Sequence, residues 1–439
     1  MKCIAVCAAA ATLVLGGCGS APAVERLGVA NAEITYVSSF ALDDPFARVL
    51  AGAIAEYEAT SGNRVNVIWN GEESAEEVLM RHESGLRVDV WDGDIQMQLA
   101  ANAGLMLDLA QFADRPQPLF GGRSLAGVAN PFLINFALEM SERFGGEYAY
   151  GQMLAVPFAP YNVAFVYNQA YFAAAGITRT PRTWAEFRAS SQRLYDRGFV
   201  PISGQMRPHL AYGYYLARLM GTDWVERLMN DTDMWKDPAV FRMADSFDRM
   251  SREGIIGRNE GRAYAGPHAA SDDRIAMWLM RTSDIRGLVE QHGAGTGFGA
   301  FNFPAPEADG RFAEELPAGQ VSAMYGAHGF FVSADTYYAE YAFDMISTIL
   351  SPNFDQQLSA ETFGVPFAAD IPWPAEIRGI EPAFAQIGAW IPYGGGTKAN
   401  RHTRERADEQ FRRLLQARAP ARYFIIAMSE APPYDFPAE

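Results

Sequence analysis

Strand and helix patterns alternate from Ile34 onward, and that alternation confines the chain to an α/β architecture. Ile34 to Phe40 is rich in β-formers and alternates in part, which predicts a strand. Asp44 then offers an N-cap and Pro45 a first helical residue. Phe46, Val49, Leu50, Ala53, Ile54 and Tyr57 recur at helical spacing up to Ser61-Gly62-Asn63. Arg64 to Trp69 predicts a second strand, Glu73 to Glu83 a second helix, and Leu86 to Trp91 a third strand running into Asp92-Gly93-Asp94. Such alternation predicts mixed, mostly parallel sheets flanked by helices on both faces. Ligands bind such sheets beyond the carboxyl ends of the strands, so the ends carry the interest. Here they are Ser38, Ser39, Phe40, Trp69, Asn70, Trp91, Asp92 and Asp94.

A chain of 439 residues is too long for one core, because cores stop growing near ~250 to 300 residues and the chain then divides. Two lobes are expected. An apolar content of 49% with 20% charged residues is that of a folded chain and excludes disorder.

The N-terminus reads as an export leader. Met1 and Lys2 precede an apolar run from Cys3 to Leu15, which falls short of the roughly 20 residues needed to span a bilayer. Its end, Leu15-Gly16-Gly17-Cys18, resembles the bacterial lipobox, where the chain is cut before the cysteine and that cysteine is lipidated. Residues 1–17 would then be the signal peptide, Cys18 the lipidation site and 18–32 a tether. An ordinary signal with an incidental cysteine is the alternative. All three cysteines, Cys3, Cys7 and Cys18, lie in this stretch, so the mature body has no internal disulfide and no thiol nucleophile or zinc finger. Loss of Lys2 takes the formal charge from −16 to −17, and such an acidic surface repels phosphate backbones. Nucleic acid is not an expected partner.

A second stretch carries the most specific signal. Val156-Pro157-Phe158 is followed by a strand pattern from Val163 to Tyr167, then Asn168, Phe172 and Ala175-Gly176. Pro181-Arg182-Thr183-Trp184-Ala185-Glu186-Phe187 opens a helix with Thr183 and Glu186 at capping-box spacing. In that order and spacing the stretch resembles the extracellular solute-binding proteins of ABC importers, in the large carbohydrate-binding group. Val88 to Asp94 with Ala103-Gly104-Leu105, Arg274-Ile275-Ala276-Met277-Trp278, and His328-Gly329-Phe330-Phe331-Val332-Ser333 resemble further passages of the same family, so the resemblance covers most of residues 33 to 370. It departs at Gly326-Ala327-His328-Gly329, where the family often has a Gly-Gly-Trp type of site residue. The stretch Trp373 to Trp390 and the tract Pro392 to Gly396 have no counterpart.

The resemblance implies a two-lobed periplasmic-binding-protein fold with a hinge crossed three times. Lobe one would hold 33–155 with 308–362, and lobe two 160–305 with 366–439. It implies a small polar solute, a mono- or oligosaccharide, held between the lobes and passed to ABC importer permease subunits. The protein would be a monomer, lipid-anchored to the cell membrane and facing the periplasm or the exterior, with no cofactor and no metal. The same fold could take a polyamine, a peptide or a metal chelate instead.

A sugar site stacks flat rings on apolar C–H faces and aims polar groups at the hydroxyl rim. Candidates for stacking are Trp69, Trp91, Tyr161, Trp278 and Tyr325; candidates for hydrogen bonds are Asn70, Asp92, Asp94, Asn162, Arg281 and His328, and Phe40 is a further ligand-binding candidate at a strand end. Bland alternatives stand beside them: Trp69 and Trp278 as core aromatics, Asp94 as a helix cap, His328 as a satisfied buried histidine, Arg281 in a surface ion pair. The six histidines show no H-E-x-x-H or similar spacing, and neither a G-x-S-x-G elbow nor a P-loop occurs. A secreted glycoside hydrolase with dispersed carboxylates is the remaining enzymatic alternative.

Overall fold

The computed structural model describes residues 31–71, 74–145, 151–257, 274–293, 296–306, 324–381 and 398–430. Cys18, most of the proposed tether and the tract Pro392 to Gly396 lie outside the described residues. Among the described residues eight strands carry the fold: β1 (Glu33–Ser38), β2 (Arg64–Trp69), β3 (Val90–Asp94), β4 (Val156–Asn168), β5 (Val200–Ile202), β6 (Ile275–Arg281), β7 (Phe298–Asn302) and β8 (Met324–Val332).

Local chemistry accounts for the first elements. The Asp44 carboxylate accepts from the Phe46 N–H at 2.8 Å and Pro45 opens α1 (Pro45–Ser61), which buries Val49, Leu50, Ala53, Ile54 and Tyr57 as its spacing predicts. Gly62, at φ 76°, ends the helix in the left-handed region that costs glycine no strain. α2 (Ser74–Glu83) and α3 (Ile95–Asn102) follow, and the Thr183–Glu186 capping box forms as expected at the start of the helix Trp184–Asp196.

The strands run in the order β2-β1-β3-β8-β4-β6-β5, with β7 on the same edge of β4 as β8. β4 makes this one continuous path. Its first half, Val156 to Val163, pairs with β8, and its second half, Val163 to Asn168, lies between β6 and β7. The sheets are mixed. Pairing is parallel at the outer strands, β1 with β2 and β3 and β5 with β6, and antiparallel wherever β4 or β8 takes part.

Two hydrophobic cores follow from this layout. The first unites β1, β3, α1, the helices Pro131–Phe144 and Ala339–Ile349, and Trp373 and Ile377. The second is dense in aromatics, with Trp184, Phe187, Tyr215, Trp235, Phe247, Phe301, Phe303 and Phe411. Alternation along β4 and β6 divides their side chains. Val163, Phe165, Met277 and Leu279 enter the second core, and Ala164, Val166, Trp278 and Met280 enter the first. Helices thus cover both faces of the second sheet. Among the described residues no helix is long and apolar enough to cross a membrane.

Candidate ligand-binding site

The carboxyl ends of β1 and β3 meet β8 at a buried polar cluster. Asp92 is fully buried, and both its oxygens are occupied: Oδ2 accepts from the Tyr36 hydroxyl, and Oδ1 from the hydroxyl of Ser39 and from its N–H, the latter at 3.0 Å. Burial pushes its carboxyl above the usual range, while the Ser39 and Tyr36 bonds and the nearby His328 pull it back. Asp92 therefore fixes the Ser39-Phe40 turn. It does not present a free carboxylate to a solute, which corrects the direct contact expected of it.

His328 stands opposite Asp94 in the β3–β8 ladder, with Nδ1 3.5 Å from Ser39 Oγ. Its ring stacks on Phe40 at 5.1 Å between centroids and 20°, and Phe40 stacks in turn on Phe46 at 4.7 Å and 10°. Burial lowers the His328 pKa, Asp92 and Asp94 oppose that shift, and Arg281 reinforces it. The imidazole is therefore held toward its neutral form between two carboxylates and a guanidinium.

Tyr161 closes the other side. The β4–β8 register slips between Phe158 and Tyr161, and Ala159 takes φ 44°, a left-handed conformation strained for a residue with a Cβ. That bulge turns the Tyr161 ring over Gly326, where any side chain would collide with the phenol. Tyr161 Oη donates to Asp94 Oδ2 at 3.2 Å, and the Arg281 guanidinium lies 4.7 Å from its ring centroid. Burial raises the phenol pKa, so it remains a donor. Asp94 also caps α3, accepting from the Met97 N–H at 3.1 Å through its other oxygen. Both readings of Asp94, cap and site residue, are thus compatible.

The expected residues divide clearly. Phe40, Asp94, Tyr161, Arg281 and His328 converge around Asp92. Trp91 and Trp278, each 1% exposed, are core side chains, which corrects the stacking expected of them. The Trp91 indole N–H donates to Gln98 at 2.9 Å, and its ring stacks on Phe331 at 5.6 Å. Trp69 ends β2 opposite Ser38, half-buried against the first core, and Asn70 follows it exposed to solvent. The side chains of Asn162 and Tyr325 lie outside the described residues; their backbones pair with one another across β4 and β8.

A cavity of about 410 Å³ adjoins the cluster, lined by Asp43, Asp44, Phe46 and Arg48 beside Arg286 and Glu290. Asp44 and Phe46 tie it to the Phe40–His328 stack. The sequence reading missed this wall apart from the Asp44 cap, because Arg286 and Glu290 sit on a surface-patterned helix, Ile285–His292, whose charges look like an ordinary i, i+4 pair. Among the described residues no group of three or more His, Cys, Asp or Glu is placed to hold a metal ion.

The family model described as bacterial extracellular solute-binding protein matches residues 43–356. The chain belongs to this family. It is an extracellular solute-binding protein by descent, and its family is one of binding proteins. No curated protein sequence matches it. Among solved structures, this solute-binding protein is similar to a chitin oligosaccharide binding protein, with 19% identity and a TM-score of 0.66 over 91% of this chain and 98% of that one. It is also similar to the cyclic α-maltosyl-1,6-maltose binding protein from Arthrobacter globiformis, with 16% identity and a TM-score of 0.63 over 91% and 97%. A third is the GacH receptor of Streptomyces glaucescens, solved unliganded and with acarbose, at 14% identity and a TM-score of 0.64 over 91% and 97%. At such identities the likeness establishes the two-lobed fold.

Proposed function

We propose that this solute-binding protein captures a mono- or oligosaccharide between its two lobes and delivers it to the permease of an ATP-driven importer. The observation that carries this reading is the convergence of Phe40, Asp94, Tyr161, Arg281 and His328 beside the 410 Å³ cavity. It combines aromatic faces with polar groups of both signs, as a ring of hydroxyls and C–H faces demands. A polyamine or metal-chelate site would instead be dominated by carboxylates, whereas here Arg48 and Arg286 stand among Asp43, Asp44 and Glu290, Asp92 is internally satisfied and Arg281 faces the cluster. Sugars and oligosaccharides named for the structural relatives support the same reading.

In this reading the first lobe is built round β1, β2, β3 and α1 and the second round β5, β6 and β7, and β4 and β8 form hinge crossings. The protein is tethered through lipid on Cys18 and works as a monomer with no cofactor. Thermal-shift screening of residues 19–439 against sugars, polyamines and peptides, followed by calorimetric titration, tests the solute class, because a ligand that binds the folded state raises its stability. Saturable binding of a sugar is expected. Stabilisation by polyamines or peptides alone, or release of sugar from a glycoside, would overturn it. Fatty-acid labelling lost in Cys18→Ala tests the anchor; equal labelling of the two chains would remove it.

A further inference from the structure

We propose that Arg286 and Glu361 form a solute-independent clasp between the two lobes. The helix Ile285–His292 connects β6 to β7 and packs on the second sheet, with His292 5.8 Å from Trp278 and 6.0 Å from Phe298 between ring centroids. The helix Pro352–Thr362 packs on α1 in the first lobe, where Phe354 reaches Gly52. Arg286 leaves the first of these helices and ends on the second. Its Nη1 donates to the Glu361 backbone carbonyl and lies 3.3 Å from Glu361 Oε2, while its Nε is held by Glu290 at 2.8 Å on its own helix. Glu361 Oε2 also lies 3.6 Å from Arg48 of α1. One carboxylate is thereby shared by an arginine from each lobe, and both arginines line the cavity.

This placement gives a partly exposed ion pair a role that the same pair within one helix lacks. Arg249–Asp245 and Arg413–Glu409 join neighbours that stay neighbours whatever the lobes do. The Arg286–Glu361 contact can be made only when the two helices are close. It therefore weights the equilibrium between closed and open lobes, and hinge closure is the motion such weighting acts on. Surface pairs contribute modestly, so the closed fraction shifts by a factor of roughly two to five. The shared carboxylate is 48% exposed and so is open to screening by salt. The inference rests on two lobes that move and not on the identity of the solute.

Interlobe distance measured by double electron–electron resonance tests the clasp. The full chain, with Cys3, Cys7 and Cys18 changed to Ser, takes spin labels at Leu86→Cys and Phe241→Cys, exposed positions on the first and second lobes. Arg286→Gln and Glu361→Gln should each deplete the short-distance population roughly two- to fivefold at 50 mM NaCl, and 1 M NaCl should do the same to the parent chain. Arg249→Gln should leave it unchanged. Distributions that superimpose for parent and both variants at low salt overturn the clasp, whereas a response to Arg286→Gln alone assigns it to the Glu361 backbone carbonyl. Solute titration reads independently of either result.

Discussion

The two lobes share an α/β layering and use it to opposite ends. In the second, the interior is filled by rings in contact: Trp184 stacks on Phe303 at 5.5 Å and meets Tyr215 edge-on at 5.0 Å, and Phe247 meets Phe411 at 5.1 Å. In the first, the strand ends draw charge inside, with Tyr36, Ser39, Asp92, Asp94 and His328 around one another. The difference is one between apolar packing and paired polar groups. The aromatic core supplies area and shape, whereas the polar cluster is stable only while every member keeps its partner.

The sharpest way to break the contrast is to remove a core ring from each side. Trp184→Ala and Trp91→Ala should each cost about 3–5 kcal/mol of stability, read from urea unfolding. Both belong to cores, so neither should change solute affinity in protein that remains folded. Undiminished stability with weakened binding in Trp91→Ala would return that ring to the site.

Next in size is Asp92→Ala, which leaves the Tyr36 hydroxyl and the Ser39 N–H without their acceptor. Roughly 2–3 kcal/mol of destabilisation is expected, since buried donors lose a charged partner. Affinity should fall as well, because the Ser39-Phe40 turn that holds the His328 stack loosens. A melting curve and a titration on the same sample separate the two effects.

The substitutions at Trp91 and Asp92 also show what the sequence disclosed. α1, β2 and the capping box were readable because caps, prolines and helical spacing are local signals, and their boundaries agree with the structure to within a residue or two. β3 was placed early, at Leu86 to Trp91, and the strand runs from Val90 to Asp94. It is buried on both faces, so no polar alternation marks which side chain looks inward, and Trp91 and Asp92 could not be sorted. Tyr161 depends on the bulge at Ala159, and Arg281 and His328 reach the cluster only through pairings of distant strands. No spacing rule sees those.

A pH profile sharpens the comparison further. The buried Asp355 accepts from the Phe367 and Ala368 N–H groups at 2.8 Å each, and burial raises its pKa to about 7. A raised carboxyl favours the folded state while protonated, so its contribution is full below about pH 4 and is lost as pH rises toward 7. The stability of Asp355→Asn relative to wild type should therefore improve across pH 4 to 7, by at most about 1.4 kcal/mol per unit. His328 acts in the opposite sense. Its pKa is lowered by burial, so its contribution is present above the ordinary imidazole value and is lost as pH falls below it. A flat difference between Asp355→Asn and wild type would show that the carboxyl is not perturbed.

The smallest stability effect is expected of Tyr161→Phe. The variant keeps the ring under Arg281 and loses only the 3.2 Å bond to Asp94, so stability should change by about 1 kcal/mol or less. Solute affinity should drop several-fold if the phenol and Asp94 act together on a hydroxyl. Unaltered affinity would leave Tyr161 as a spacer over Gly326.

β3 and β8 lie side by side although most of the chain separates them, and the Thr336 hydroxyl bonds to Asp89 across 247 positions of sequence. Loop closure on that scale is slow, and it delays completion of the first sheet until β8 has been made. Until then β3 has a vacant edge where β8 will dock, and Val90 and Trp91 are exposed to any other strand nearby. A chain that leaves the cell before it folds keeps a late-closing topology of this kind extended during transit. For such a protein, slow assembly is an advantage at the moment of export and a hazard of mispairing immediately after it.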